Sequence, residues 1–176
     1  GANMGMMSVE HPDVLRFIAA KDNPTVFENF NLSVKVTDEF MHALSDRPNE
    51  PHMVINHRTD QRYLIPRDTD IAAYTIHDLV PIGHVSFPCF TIRDVWRMII
   101  RNAHASGEPG VCFIDTVNRD NPTPRLGRIE AMNPCGEQPL LPYESCNLGS
   151  INLARFVDRA RQEVDWEKLA RTTNHA

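Results

Sequence analysis

Apolar positions change their spacing several times along the chain, and each change marks an element. Between Asn29 and Val36, the residues Phe30, Leu32, Val34 and Val36 alternate with polar neighbours. That is the period of a half-buried strand. Thr37 follows as an N-cap, and Asp38-Glu39-Phe40 opens a helix with Phe40, Met41 and Leu44 on its inner face. Upstream, Glu10 to Ala20 predicts a helix in which Pro12 suits the first position and Asp13 the positive end, closed by Asp22-Asn23-Pro24. Further on, Thr91-Ile92-Arg93-Asp94 has capping-box spacing, and Val95, Trp96, Ile99, Ile100 and Ala103 make one helical stripe that runs to Ser106-Gly107. Glu108-Pro109-Gly110 then turns the chain into Val111-Cys112-Phe113-Ile114, a short apolar run expected of a strand buried on both faces.

The stretch from Asp46 to Ser86 is polar and marked by prolines, with short strand candidates only at Met53-Val54-Ile55 and Tyr63-Leu64-Ile65. After Ile114, the run Asp115 to Pro124 reads as a polar loop behind a buried strand, a place where α/β proteins keep ligand chemistry and where a solvated turn fits equally well. A last helix is expected from Asp165. Strand followed by helix, then helix followed by buried strand, makes the fold class α/β.

Composition narrows the function classes. The chain has 176 residues, 41% of them hydrophobic and 23% charged, values that suit an ordinary domain with a core. A net charge of -5 with scattered basic residues leaves no footprint for a nucleic-acid backbone. No apolar run approaches the roughly 20 residues that span a bilayer, and the start Gly1-Ala2-Asn3-Met4-Gly5-Met6-Met7 has no signal-peptide pattern. A cytoplasmic location without membrane or nucleic-acid partners is the expectation. The cysteines are Cys89, Cys112, Cys135 and Cys146, without C-x-x-C spacing, and the eight histidines form no H-x-x-x-H pair, so no metal site is expected. Cys89 and Cys112 read as small packing residues.

Asn133-Pro134-Cys135-Gly136-Glu137 is the richest run. Pro134 disfavours a helix and Gly136 permits close approach of another group. An extended loop would place the amide of Asn133, the thiol of Cys135 and the carboxyl of Glu137 on one face, about 6 to 7 Å apart, as a hydrogen-bonding group, a reactive sulfur and a base. The same polar alternation also describes a solvent-facing loop.

The continuous run from Asn133 through Pro142-Tyr143-Glu144-Ser145-Cys146-Asn147-Leu148-Gly149-Ser150-Ile151-Asn152-Leu153 resembles the active-site segment of class II, vitamin B12-dependent ribonucleotide reductases. Gly1-Ala2-Asn3-Met4-Gly5 with His11-Pro12-Asp13, Asn29 to Val34, Pro109-Gly110 with Phe113-Ile114-Asp115, and Asn118 to Pro124 resemble the same family in the same order. The likeness is weakest from Asn49 to Phe90, where nothing is carried over.

The resemblance implies a central segment, residues 1–176, of a ten-stranded α/β barrel that is incomplete in this chain, with an active-site loop at 133–137. It implies a thiyl radical on Cys135 that abstracts the 3' hydrogen of a ribose, Glu137 as general base for the 3'-hydroxyl, and Asn133 hydrogen-bonded to the substrate hydroxyls. Cys146 matches one of two reducing cysteines, whose partner would lie upstream of Gly1. Gly1, Ala2 and Asn3 match the end of a loop that relays effector identity to the substrate. Adenosylcobalamin is the implied cofactor. A ribonucleoside di- or triphosphate, a deoxynucleotide effector and a thioredoxin-type reductant are the implied partners, and a homodimer is compatible with the family. The isolated chain is expected to be inactive. The competing readings are a class I large subunit served by a metal-containing partner protein, and a nucleotide-binding or assembly module without chemistry.

Overall fold

The computed structural model describes residues 1–23, 25–83 and 87–176. Pro24, read above as part of a helix stop, and Ser86, at the end of the polar stretch, lie outside them. The chain divides into two compact units, Gly1–Glu144 and Ser145–Ala176.

Unit 1 is built on three parallel strands in the order β1-β2-β6. Strand β1 is Asn3–Ser8 and is followed by a short helix α1, Val14–Ile18. Strand β2, Phe30–Val36, follows the alternating pattern, with Leu32, Val34 and Val36 buried. Helix α2, Asp38–Asp46, starts where Thr37 accepts a hydrogen bond from the Phe40 N–H. Three short antiparallel strands come next, β3 (Met53–Asn56), β4 (Gln61–Leu64) and β5 (Val80–Pro81). Helix α3, Ile92–Ser106, has the expected capping box between Thr91 and Asp94 and ends on Gly107 in the left-handed region, φ 86°. Strand β6, Gly110–Phe113, leads directly into α4, Ile114–Arg119.

The sheet has two different faces. Val34 and Val36 point into the main core with Val14, Leu15 and Ile18 of α1 and Val95 and Ile99 of α3. Burial of these side chains is the dominant favourable contribution to the fold, because their transfer from water is worth about 1.5 to 3 kcal/mol each. The register Met6↔Ser33 and Lys35↔Cys112 sets a second face, where Cys112, Ile114 and Ile129 form a smaller cluster with Met6, Val117, Met132 and Leu141. At Gly110 an added Cβ would meet the Ser33 hydroxyl at 2.8 Å, so a larger residue there would require the Ser33 side chain to turn away.

Several expectations are corrected. Helix α1 starts at Val14 rather than near Pro12, because His11 organises the preceding turn: its Nδ1 accepts from the Asp13 N–H and its carbonyl from the Val14 N–H. The Tyr74 hydroxyl then accepts from the Leu15 N–H and donates to the Pro12 carbonyl. The buried face of α3 is Ile92, Val95, Met98, Ile99 and Asn102, so the stripe is rotated; Ile100 is 51% exposed. Asn102 is buried because its amide donates to the Ile18 carbonyl and to Asp22, tying α3 to the end of α1. Phe113 of β6 is 47% exposed, so that strand is not covered on both faces. Residues 115–119, expected as loop, belong to α4. The α/β class holds, and no closed barrel is present among the described residues.

Unit 2 begins without regular structure. It continues through a 3-10 turn at Leu153–Phe156, a two-stranded pair β9 (Val157–Asp158) and β10 (Glu163–Val164), and helix α5, Trp166–His175. Asp165 caps α5 by accepting from the Lys168 N–H, as the expected start requires. Among the described residues no helix is long and apolar enough to cross a membrane.

Candidate active site

The Cys135 segment is the tip of a hairpin. Strand β7, Ala131–Met132, pairs antiparallel with β8, Pro139–Leu140, in the register Ala131↔Leu140 and Met132↔Pro139. The Asn133 N–H donates to the Gln138 carbonyl at 3.2 Å, which extends the ladder by one step. Beyond it the chain turns sharply: the Gly136 N–H donates to the Asn133 carbonyl at 2.9 Å, which makes Asn133-Pro134-Cys135-Gly136 a β-turn. Pro134 has the fixed φ that suits the second turn position. Gly136 sits at φ +81°, where a residue with a Cβ would be strained.

The segment is therefore non-helical, as Pro134 required, but it is not extended. Residues two apart share a face only on an extended chain, so the predicted row of Asn133, Cys135 and Glu137 is overturned. Asn133 is buried and its Oδ1 accepts from the Gln138 N–H at 2.9 Å, closing the turn from inside. Its Nδ2 makes no hydrogen bond among the described residues. Cys135 and Glu137 are exposed at the tip.

The polar face of β2 holds this hairpin down. Asn31 Nδ2 donates to the Pro134 carbonyl at 2.7 Å. Four residues on, Lys35 Nζ donates to the Glu130 carbonyl at 3.2 Å and pairs with the Glu130 carboxylate at 3.1 Å. The side chain of Asn118 on α4 grips the same arm, donating to the Ile129 carbonyl and accepting from the Ile129 N–H. A cleft of about 570 Å³ opens beside the tip, lined by Met4, Asn31, Ser33, Phe113 and Cys135 among others. That volume lies in the range of sites for small organic ligands. Asn133 and Glu137 are not among its lining residues.

Cys112 also borders the cleft, yet it is 4% exposed and its thiol is pushed up by burial, with Lys35 acting in the opposite sense. A buried, apolar thiol held protonated is the packing residue that the strand pattern predicted. Cys89 is half-buried, with its thiol likewise pushed up by burial. Cys146 lies in the irregular start of unit 2 and is half-buried. Gly1 and Ala2 are exposed, and Asn3 begins β1, its N–H donating to the Asn29 carbonyl at 2.7 Å. Among the described residues no group of three or more His, Cys, Asp or Glu side chains is placed to hold a metal ion.

Sequence reasoning missed Asn31 and Lys35. The signal was present, since Asn31, Ser33 and Lys35 are the polar half of the alternation in β2. Two of these polar residues, Asn31 and Lys35, hydrogen-bond the hairpin, a partner that the alternation does not specify.

The ribonucleotide reductase barrel domain family matches the chain over residues 1–176. The chain is 45% identical over 170 residues to a vitamin B12-dependent ribonucleoside-diphosphate reductase of Mycobacterium tuberculosis, covering 96% of this chain and 20% of that protein. It is 40% identical over 174 residues to a protein of the same name from Thermoplasma acidophilum, covering 98% of this chain and 19% of that protein. With a vitamin B12-dependent ribonucleotide reductase of Rhodopirellula baltica it shares 30% identity over 181 residues, 90% of this chain and 15% of the relative. The chain thus spans about a fifth of the length of the first two of these relatives. The match along residues 1–176, with relatives at 40 and 45% identity over nearly all of this chain, places the protein in the ribonucleotide reductase barrel domain family.

Proposed function

We propose that this chain is the central part of the catalytic barrel of a ribonucleotide reductase and that Cys135 carries the radical that starts the reaction. The observation that supports it best is the turn at Asn133 to Gly136, which holds an exposed thiol at the mouth of a cleft sized for a nucleoside. The parallel sheet would then be one arc of a ten-stranded barrel, with the 133–137 loop directed into its interior.

In this reading a sulfur radical on Cys135 takes the hydrogen atom from C3' of the ribose, which regenerates the S–H bond and leaves a carbon radical. Glu137, exposed two residues after Cys135, takes the proton of the 3'-hydroxyl as general base and gives it back when the hydroxyl re-forms. The 2'-hydroxyl leaves as water. Two electrons and two protons come from a pair of thiols that closes to a disulfide, with Cys146 as one member and a thioredoxin-type protein as the external reductant. The hydrogen returns from Cys135 to C3', and the radical is restored. Asn133 Nδ2 is the donor for the substrate hydroxyls.

The names of the relatives favour a ribonucleoside diphosphate as substrate and a B12 cofactor over a class I metal-containing partner. Adenosylcobalamin supplies homolytic chemistry when bound. Among the described residues that line the cleft there is no histidine, and no seat for this group is assigned to them. Gly1 to Asn3 would sit where a deoxynucleotide effector signals to the substrate base, in a cytoplasmic enzyme able to form a homodimer.

The test uses the full-length protein containing this segment, assayed anaerobically with adenosylcobalamin, a dithiol and each ribonucleoside diphosphate. Deoxynucleotide should form. Cys135→Ser should abolish it with nucleotide binding intact, and Cys146→Ser should stop reduction while allowing base release from the substrate. Normal turnover by Cys135→Ser sinks the assignment.

A further inference from the structure

We infer that Asn31 is a positioning residue for the radical thiol: with Lys35 it fixes how far the Cys135 turn projects along β2. This rests on the reading of Cys135 as the reactive group. The two clamps have matched spacing. Asn31 binds the carbonyl of Pro134, and Lys35 binds the carbonyl and carboxylate of Glu130. Four residues separate the contacts on β2 and four separate them on the hairpin, in opposite directions. The 130–134 arm therefore runs antiparallel across the polar face of β2, in a defined register, without any backbone ladder between them.

A slip of the arm would move the tip by about 3.3 Å per residue, the rise of an extended chain. Lys35 has a long, flexible side chain and holds the base of the arm, where displacement moves the tip little. Asn31 is short, contacts the residue next to Cys135, and lines the cleft together with that thiol. Its hydrogen bond is made to a proline carbonyl that has no other hydrogen bond among the described residues. The position of the sulfur is thus set by one side-chain amide on the neighbouring strand, in addition to the internal hydrogen bonds of the turn.

Asn31 is exposed, so substitution leaves the core intact. Asn31→Asp preserves shape and removes the donor, setting a carboxylate against the carbonyl. Asn31→Gln keeps a donor on a longer arm. In the full-length reductase, Asn31→Asp should lower kcat by about tenfold or more with KM changed little, since misplacing a reacting group by about 1 Å can cost about a hundredfold. Asn31→Gln should recover part of that loss. Independently of turnover, alkylation of Cys135 by iodoacetamide, followed by mass spectrometry without nucleotide, should be at least about threefold faster in Asn31→Ala, which unpins the turn without adding a charge beside the thiol. Alkylation within twofold of wild type in Asn31→Ala overturns the inference. If the wild-type protein makes no deoxynucleotide, the reductase reading fails while the alkylation rates still decide whether Asn31 fixes the turn.

Discussion

Asn133 offers the sharpest test, because its two amide atoms have different partners. Oδ1 accepts from the Gln138 N–H at 2.9 Å inside the hairpin, whereas Nδ2 is the group assigned to the substrate. Asn133→Ala removes both. The loss of one neutral hydrogen bond is worth about 0.5 to 1.5 kcal/mol. At about 1 kcal/mol the ratio of closed to open turn should fall about fivefold. Asn133→Asp keeps an acceptor for Gln138, strengthened by its charge, and removes only the donor. Hydrogen exchange of the Gln138 amide in the full-length protein should therefore speed up about fivefold in Asn133→Ala and stay at or below the wild-type rate in Asn133→Asp. Turnover should separate from this pattern: both variants should lose at least about tenfold in kcat/KM, because a buried site that loses a donor to a substrate hydroxyl leaves that hydroxyl unpaired. Wild-type kcat/KM in Asn133→Asp would refute the donor role, and unchanged Gln138 exchange in Asn133→Ala would refute the role in building the turn.

Three further outcomes are expected. His52 is buried, with Nε2 on the Val9 carbonyl at 2.8 Å and its ring edge-on to Phe40, and burial pushes its pKa down to about 4. The unfolded chain takes up the proton first, so stability is full above pH 6.5 and is lost as pH falls towards 4, by up to about 3 kcal/mol; in a thermal melt series the advantage of wild type over His52→Gln should shrink across that window, and a pH-independent gap would contradict it. Thr91→Ala breaks a capping box in which Thr91 and Asp94 satisfy each other's N–H groups and should cost about 1 kcal/mol in urea unfolding, with no cost if α3 does not depend on its cap. Cys112→Ala removes a thiol from the smaller core and should cost on the order of 1 kcal/mol while leaving turnover within a few fold; abolished turnover in a folded protein would mean that Cys112 takes part in the chemistry.

The sequence by itself determined the elements whose cause is local. Leu32, Val34 and Val36 alternate because a strand exposes alternate residues to one core, and β2 lies where that pattern placed it. Thr37, Thr91 and Asp165 cap helices because a side-chain oxygen beside an unpaired N–H is a matter of a few neighbouring residues. Pro134 excluded a helix at Cys135 for an equally local reason, and the continuous run around Cys135 and Cys146 carried the family. Tertiary structure decided what covers each face. Ile100 fits the apolar stripe of α3, but Met98 packs into the main core and Asn102 bonds the Ile18 carbonyl, so these are buried instead. Asn133, Cys135 and Glu137 alternate as an extended strand would, yet a hairpin closed by hydrogen bonds between Asn133 and Gln138 bends the segment into a turn. The partner of Asn31 is 103 residues away. No periodicity in the sequence encodes a contact at that separation, because it exists only once β2 and the hairpin have both folded and been brought together.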